Sequence, residues 1–147
     1  FQGYSTHGNC DLVGLGVSAI GSIGNAYSQN STSTIEYEAI LGRNQLPVKR
    51  GIAVDEDDQL RARVIQQLMC YDELDFARFR SEHNIDFAAY FSDELLRLEP
   101  LKQDGLVELD EKRIAITPAG RLLLRSIAMV FDRYIATAHS ERFSRAI

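Results

Sequence analysis

The sequence contains too few cysteines to be organised by disulfide bonds. Only Cys10 and Cys70 occur among its 147 residues, whereas small disulfide-stabilised secreted domains carry a dense set of cysteines. This composition favours a reducing compartment, so we expect a cytoplasmic protein. Long apolar runs are also lacking: no stretch approaches the about 18 apolar residues of a membrane span, and residues 1–9 do not resemble a secretory signal. We therefore expect no membrane partner.

Positive charge is scarce as well. The chain has 16 lysines and arginines against 21 aspartates and glutamates, which gives a net charge of −5. A field of that sign repels a phosphate backbone, so we expect no nucleic acid partner. The 45% hydrophobic composition is enough for one ordinary globular core. Because the chain starts at Phe1 within a polar, glycine-rich stretch, we expect it to be a fragment of a longer protein.

Residues 1–53 form the first predicted region. The apolar run over residues 11–20 predicts a buried strand of a parallel sheet. Ser33 and Glu36 match a capping box, which predicts a helix ending near Gly42. The strand has no predicted partner for its backbone groups, so we expect disorder, self-association through this segment, or repacking on the helices.

Residues 54–147 form the second predicted region, which has clearer helix signals. Asp55, Asp75 and Asp86 each precede an apolar periodic segment and predict three successive helices. Alternating runs within residues 106–117 predict a β-hairpin. A last helix is expected to follow, since a threonine and a proline stand at its start. This order of elements is typical of a winged-helix-like domain.

Short patterns that resemble cofactor or metal sites lack the necessary context. Gly14, Gly16 and Ala19 match a loosened dinucleotide-binding fingerprint, and Glu36 lies at about the expected distance of ~20 residues. The following segment is too rich in glycine and asparagine to form the required helix. We interpret the pattern as the tight, glycine-lined end of a strand.

Metal binding and nucleophilic catalysis are also not expected from the local sequence. His7 and Cys10 are close enough to share a metal, but a structural zinc site needs four ligands and no others are near. Cys70 falls within an apolar helix, where a small core residue is expected rather than a nucleophile. The acidic run over residues 55–58 is typical of the first turn of a solvated helix. We therefore predict no metal ligands and no catalytic residues in this chain.

The winged-helix order raises the alternative of a winged-helix interaction or DNA-binding module. In such folds the third helix enters the major groove, but here it carries Asp93, Glu94, Arg97 and Glu99 and is net negative. The wing residues 110–113 are neutral in sum. These charges favour packing against another domain or partner.

Several longer motifs occur in order along nearly the whole chain. Residues 1–20 follow the pattern FQGYxTxxxxDLxGxGxSAI. The other segments are similar to RGxAL, VIxxLMC, DGLV, TPxGRLL and FSRVI, and occupy residues 50–53, 64–70, 104–107, 117–123 and 143–147. With these motifs the chain resembles the C-terminal part of the oxygen-independent coproporphyrinogen III oxidases, which are radical S-adenosylmethionine enzymes of haem biosynthesis. Departures include Ser126, where the family commonly has asparagine, and Ala146, where it usually has valine.

The resemblance implies a two-part α+β fold that is mainly α with a small β component. Residues 1–53 would be the end of a partial α/β barrel, and residues 54–147 a winged-helix-like helical C-terminal domain. The enzyme's own N-terminal barrel and coproporphyrinogen III would be its partners. A related radical S-adenosylmethionine protein that handles haem rather than making porphyrin is an alternative within the same group.

The resemblance also implies the chemistry of the whole enzyme. In the family, a 4Fe-4S cluster held by a CxxxCxC motif cleaves S-adenosylmethionine, and the resulting radical takes hydrogen from a propionate of coproporphyrinogen III. Loss of carbon dioxide leaves a vinyl group, and two rounds give protoporphyrinogen IX. The CxxxCxC motif is absent here. We therefore expect this fragment alone to bind no cluster or cofactor and to be inactive.

Two residues match family positions near S-adenosylmethionine. Gln2 could bond a carboxylate or amino group through its amide, and Ile20 could pack on a ribose or adenine face. Both contacts would need the rest of the barrel. They are the cofactor-binding residues that the resemblance implies.

Overall fold

The structure is a computed structural model that describes residues 10–135. The chain divides into two compact units between Leu60 and Arg61, here called the first and second units. The domain boundary predicted near residue 53 stays a prediction. Within the described residues, no helix combines the length and the apolar character needed to cross a membrane.

The first unit is an antiparallel sheet with one helix inserted between its second and third strands. Its strands are β1 (Ile20–Ile23), β2 (Ala26–Asn30) and β3 (Val48–Ala53), in the order β1-β2-β3. The helix is α1 (Thr34–Leu41). As predicted, Ser33 is its N-cap and accepts a hydrogen bond from the backbone N–H of Glu36, and Gly42 is its C-cap.

The predicted parallel strand over residues 11–20 is wrong. Residues 11–19 form a loop with a single isolated bridge between Leu12 and Ser22, and the strand begins only at Ile20 in an antiparallel sheet. The loop bends because Gly16 and Ser18 adopt positive φ angles of 104° and 60°. The apolar run therefore does not indicate a buried strand, and Leu15 is 86% exposed.

Helices and a small second sheet alternate in the second unit. Helix α2 (Glu56–Tyr71) begins within the first unit and continues into the second. It is followed by β4 (Glu73–Asp75), α3 (Phe76–His83), α4 (Phe87–Tyr90), α5 (Ser92–Gln103), β5 (Val107–Leu109) and β6 (Arg113–Ile116). The sheet order is β4-β6-β5 and all pairs are antiparallel. The predicted hairpin is thus confirmed, whereas β4 was not predicted.

Helix caps in the second unit follow the sequence signals. The Asp75 and Asp86 side chains accept from the backbone N–H groups of Arg78 and Ala89, and Asp55 accepts from Asp58 at 2.8 Å. The helix predicted from Asp86 onward is interrupted, because Phe91 leaves the helical conformation between α4 and α5. The interruption accompanies the complete burial of its ring.

The predicted last helix is also divided. A 3₁₀ turn over Gly120–Leu123 precedes α6 (Leu124–Ala128), and a second 3₁₀ turn covers Met129–Phe131. Gly120 is buried against the start of the hairpin, where an added Cβ would lie 1.9 Å from the carbonyl oxygen of Leu106. This contact requires glycine at position 120.

Burial differs sharply between the two units. In the second unit, phenylalanine rings pack together in the core, with Phe87, Phe91 and Phe131 almost fully buried and in mutual contact. The described part of the first unit has only four buried residues, which are Gly21, Asn30, Ser31 and Pro47. The structure is therefore a mixed α/β chain whose large buried apolar side chains, over residues 10–135, all belong to the second unit.

Candidate functional site

The structure describes only one of the two predicted cofactor contacts. Gln2 lies outside the described residues. Ile20 is half-buried at the start of β1, and its Cα partner across the sheet is Gln29 of β2. The candidate site is therefore built around Ile20.

The glycine-rich loop before Ile20 is held by side chains from β2 and α1. The Asn30 side-chain nitrogen, Nδ2, donates to the carbonyl oxygens of Gly14 at 3.1 Å and Gly16 at 2.9 Å. The backbone N–H of Gly16 donates to Tyr37 Oη at 3.2 Å. Asn30 is only 8% exposed, so these bonds form largely away from water. Neither Asn30 nor Tyr37 was identified from the sequence, since no local pattern links them to a loop 14 or more residues away.

Glycines allow this loop to cross directly over β1. A Cβ on Gly14 would lie 2.6 Å from the carbonyl oxygen of Ile20, and a Cβ on Gly21 would lie 3.3 Å from the backbone nitrogen of Gly14. No helix follows Gly16, since β1 is the next element, so the structural context of a dinucleotide fingerprint is lacking. Gly14 and Gly16 lie in the loop before β1 rather than at the end of the strand that was predicted over residues 11–20.

The loop covers one face of the sheet, and among the described residues the side chains of the other face are half-buried or exposed. Side chains alternate between faces along each strand, and residues paired in register share a face. Gly21, under the loop, is therefore on the opposite face from Ile20. We call the open surface the Ile20 face; it carries Ile20, Ser22, Tyr27, Gln29, Arg50 and Ile52.

A hydrogen-bonded pair lies beside Ile20 on this face. Arg50 Nε donates to Gln29 Oε1 at 2.7 Å, and Gln29 Nε2 donates to the carbonyl oxygen of Ser18 at 3.2 Å. The face thus combines apolar side chains, one aromatic ring and one guanidinium group. This mixture suits a ligand that has an apolar or aromatic body and an anionic group.

A second polar network ties the end of β2 to α1 and β3. Ser31 is fully buried, and its hydroxyl donates to Glu36 Oε2 at 2.6 Å. Lys49 Nζ donates to Glu36 Oε1 at 2.5 Å. The hydrogen bond from Lys49, followed by that from Ser31, holds the pKa of Glu36 below its usual value. Both carboxylate oxygens of Glu36 therefore accept hydrogen bonds from residues of the first unit, and the side chain has a structural role rather than a ribose-binding one.

The described residues do not offer a donor set for an iron–sulfur cluster. Within residues 10–135, no three histidine, cysteine, aspartate or glutamate side chains converge as metal ligands. Cys10 is exposed in the first unit, and Cys70 is half-buried near the end of α2. His7 lies outside the described residues. No step of a cluster-dependent reaction can be assigned to these side chains.

The second unit has an open groove of about 490 Å³ between its helices and the hairpin. Phe76 and Leu95 contribute to its apolar floor, and Glu99, Asp110 and Glu111 line it with acidic groups. Asp110 accepts hydrogen bonds from the backbone nitrogens of the hairpin turn, and these bonds lower its pKa. The groove is thus bordered mainly by negative charge.

The charged residues proposed for a recognition helix have structural partners. Glu94 is 6% exposed and accepts from Arg61 and Arg97, each at 2.8 Å. On the hairpin, Arg113 lies 3.3 Å from Glu73 and 3.5 Å from Glu108. These arginines are engaged by carboxylates of their own unit.

Comparison with known proteins identifies the relatives of the chain. Residues 54–123 match the HemN C-terminal domain. Over its whole length the chain is 52% identical to the oxygen-independent coproporphyrinogen III oxidase of Pseudomonas aeruginosa and 45% identical to that of Escherichia coli. It spans 32% of each of these relatives.

A solved structure gives the same result. The coproporphyrinogen III oxidase HemN from Escherichia coli, described as a radical SAM enzyme, superposes with a TM-score of 0.83 at 44% sequence identity. The match covers 90% of this chain and 31% of that protein. The chain is therefore similar over its whole length to the C-terminal part of oxygen-independent coproporphyrinogen III oxidases, and residues 54–123 match the HemN C-terminal domain.

Proposed function

We propose that this chain is the C-terminal part of an enzyme that converts coproporphyrinogen III to protoporphyrinogen IX in anaerobic haem biosynthesis. The observation that carries the proposal is 52% identity, over the full length of the chain, to an oxygen-independent coproporphyrinogen III oxidase. The two free cysteines favour a cytoplasmic enzyme.

Each of two propionate side chains would lose a hydrogen atom to the radical, then carbon dioxide and one electron to a one-electron acceptor, and would become a vinyl group. A 4Fe-4S cluster with S-adenosylmethionine, bound by the N-terminal barrel, supplies the oxidising radical. The residues of this chain would instead bind, orient and enclose the reactants.

We propose that the first unit completes the end of a partial α/β barrel. Its sheet has open apolar side chains such as Ile23, Tyr27 and Ile52, and its described part buries none of comparable size. A unit of this kind needs a neighbouring structure to cover its apolar surface. The parent enzyme's own barrel is the expected neighbour.

We also propose that the second unit is a winged-helix-like domain that helps to cover the substrate cleft. The support is the order of elements: α2, the short strand β4, α3, α4 and α5 precede the hairpin, and a final helical segment follows it. The acidic groove and the paired arginines favour protein packing over nucleic acid binding.

Gln2 and Ile20 are the proposed contacts to S-adenosylmethionine. For Ile20, the support is its position on an open sheet face beside a glycine-rich loop whose course is fixed by hydrogen bonds. Its branched side chain would pack against an adenine or ribose face. Replacing Ile20 by aspartate in the parent enzyme should weaken S-adenosylmethionine binding without removing the cluster absorbance.

The activity is tested with the purified parent enzyme, its cluster reconstituted under anaerobic conditions. Incubation with coproporphyrinogen III and S-adenosylmethionine should yield protoporphyrinogen IX, detected by chromatography after oxidation to the porphyrin. Haem binding without porphyrin formation would instead support the alternative of a haem-handling relative. A parent enzyme lacking residues 54–147 should lose substrate affinity or turnover, and unchanged kinetics would refute the covering role of the second unit.

A further inference from the structure

We propose that Arg50 is an anion-binding residue of the Ile20 face and receives the carboxylate of a ligand bound there. The identity of the ligand rests on the function proposed above. Two reactants of that function carry carboxylates on a largely apolar body: S-adenosylmethionine and the tetrapyrrole with its propionates. The shared chemistry is a carboxylate next to an aromatic or apolar group.

The charge of Arg50 is not compensated within the described residues. Its Nε donates to the neutral amide of Gln29, and no ion pair links it to a carboxylate over residues 10–135. The guanidinium groups of six other arginines lie against carboxylates of the same unit; these are Arg61, Arg78, Arg80, Arg97, Arg113 and Arg121. Arg50 therefore keeps its full positive charge available to a ligand.

The guanidinium is also oriented before any ligand binds. Gln29 accepts from Arg50 at one end of its amide and donates to the carbonyl oxygen of Ser18 at the other. With Nε occupied, the two terminal nitrogens Nη1 and Nη2 remain, and such a pair can bind both oxygens of one carboxylate. Gln29 is thus a positioning residue for Arg50.

The distance from Arg50 to Ile20 suits a single small molecule. Both residues pair in register with Gln29, so they are separated by two strand spacings, about 10 Å. Tyr27 and Ile52 occupy the next row of the same face and are 37% and 55% exposed. A ligand could place its apolar body over this row and Ile20 while its carboxylate reaches Arg50.

The test compares Arg50→Gln with the unmodified enzyme in the full-length parent. Equilibrium binding is measured separately for S-adenosylmethionine and for coproporphyrin III, the oxidised and non-reacting form of the substrate. Loss of a charged hydrogen-bonding partner should weaken one of these ligands about tenfold or more. Arg50→Lys, which keeps the charge but not the paired nitrogens, should have a smaller effect.

Arg43→Gln is the matched control. Arg43 also donates to a neutral amide, that of Gln45 at 3.3 Å, but it lies in the turn after α1 and outside the Ile20 face. This substitution should leave both affinities unchanged. Decarboxylated S-adenosylmethionine is the control ligand, since an effect through its carboxylate should disappear when that group is absent.

The outcomes show whether the carboxylate belongs to S-adenosylmethionine or to the tetrapyrrole. They also distinguish a failure of the role of Arg50 from a failure of the proposed function. Weaker binding of S-adenosylmethionine alone, with unchanged binding of its decarboxylated form, assigns Arg50 to its carboxylate; weaker binding of coproporphyrin III alone assigns it to a propionate. Unchanged affinity for both ligands overturns the role of Arg50, as does an equal loss with the decarboxylated form. If the unmodified enzyme binds neither ligand, the proposed function fails instead. If the Arg50→Gln variant does not fold, the Gln29→Leu variant is measured in its place. Because Gln29 positions Arg50, this variant should bind either S-adenosylmethionine or coproporphyrin III less tightly than the unmodified enzyme.

Discussion

Asn30 links the glycine-rich loop to the sheet through a single amide group. Its nitrogen donates to two carbonyl oxygens, those of Gly14 and Gly16, and the residue is nearly buried. Only an amide supplies both donors in this geometry, because a carboxylate of the same shape is an acceptor. The course of the loop before Ile20 therefore depends on one side chain.

Asn30→Asp should loosen this loop, since an ionised carboxylate would face two carbonyl oxygens. We expect the protection of loop amides against hydrogen exchange to fall by about 1–3 kcal/mol in free energy. Asn25→Asp makes the same change in the exposed turn between β1 and β2 and should leave the loop unchanged. Equal exchange rates in the two variants would contradict the role of Asn30.

Glu36 makes part of the stability of the first unit dependent on pH. Its pKa is lowered in the folded protein, chiefly by the hydrogen bond from Lys49. A lowered pKa gives stability that is present above the ordinary glutamate value of about 4.3 and is lost as the pH falls through the folded value. The unfolding free energies of the wild type and of Glu36→Gln should thus differ at pH 7 and converge in acid.

The matched control for this prediction is Glu38→Gln. Glu38 is an exposed residue of the same helix, so its replacement changes the net charge equally. Urea denaturation at pH 7 and pH 3 provides the measurement. A difference that persists at pH 3 for Glu36→Gln would show that packing, rather than ionisation, is responsible.

At the level of the secondary-structure elements, one buried carboxylate joins α2, α5 and the chain near Phe131. Glu94 accepts from Arg61 of α2 and from Arg97 of α5. Arg61 also donates to the carbonyl oxygen of Phe131 at 3.1 Å and lies over the ring of Phe91. This network connects residues that are far apart in the sequence.

Glu94→Gln should destabilise the second unit by about 2–3 kcal/mol, because the poorly solvated Arg61 and the half-exposed Arg97 then both lose their charged partner. Glu99→Gln on the same helix is the control. Its exposed pair with Lys102, at 3.6 Å, should contribute less than about 1 kcal/mol. Chemical denaturation of both variants measures the difference, and equal effects would contradict a special role for the buried carboxylate.

The helices could be predicted from local sequence signals, whereas the contacts between distant segments could not be predicted. Ser33, Asp75 and Asp86 were identified as caps because each bonds a backbone group three residues away. The prediction from the run over residues 11–20 was wrong, since Leu12, Val13 and Leu15 are exposed and Gly14 lies where two backbone segments cross closely. By contrast, Gly16 lies 14 residues from Asn30, Gln29 lies 21 from Arg50, and Arg61 lies 33 from Glu94, so no sequence period indicates these contacts.

At the level of the whole molecule, the two units differ in their ability to fold alone. The second unit has its own aromatic core, while the described part of the first has no large buried apolar side chain. Burial of apolar area is the main favourable term in folding. The first unit therefore depends on surfaces outside itself.

This difference leads to a prediction for the isolated chain. Residues 1–147 should self-associate in solution, because apolar side chains such as Leu15, Ile35 and Leu46 are each more than 80% exposed. A chain of residues 54–147 should remain monomeric and unfold cooperatively. Light scattering of both proteins tests the prediction, and a strictly monomeric chain of 147 residues would contradict it.

The exposed apolar side chains of the first unit also bear on how related sequences diverge. Surface positions of an independent domain usually vary freely, while core positions change slowly. If the first unit is covered by the barrel in its parent, residues such as Ile23, Tyr27 and Ile52 are surface positions only in isolation. Among relatives they should therefore be substituted as rarely as the core phenylalanines of the second unit, and far less often than a similarly exposed residue there, such as Tyr71.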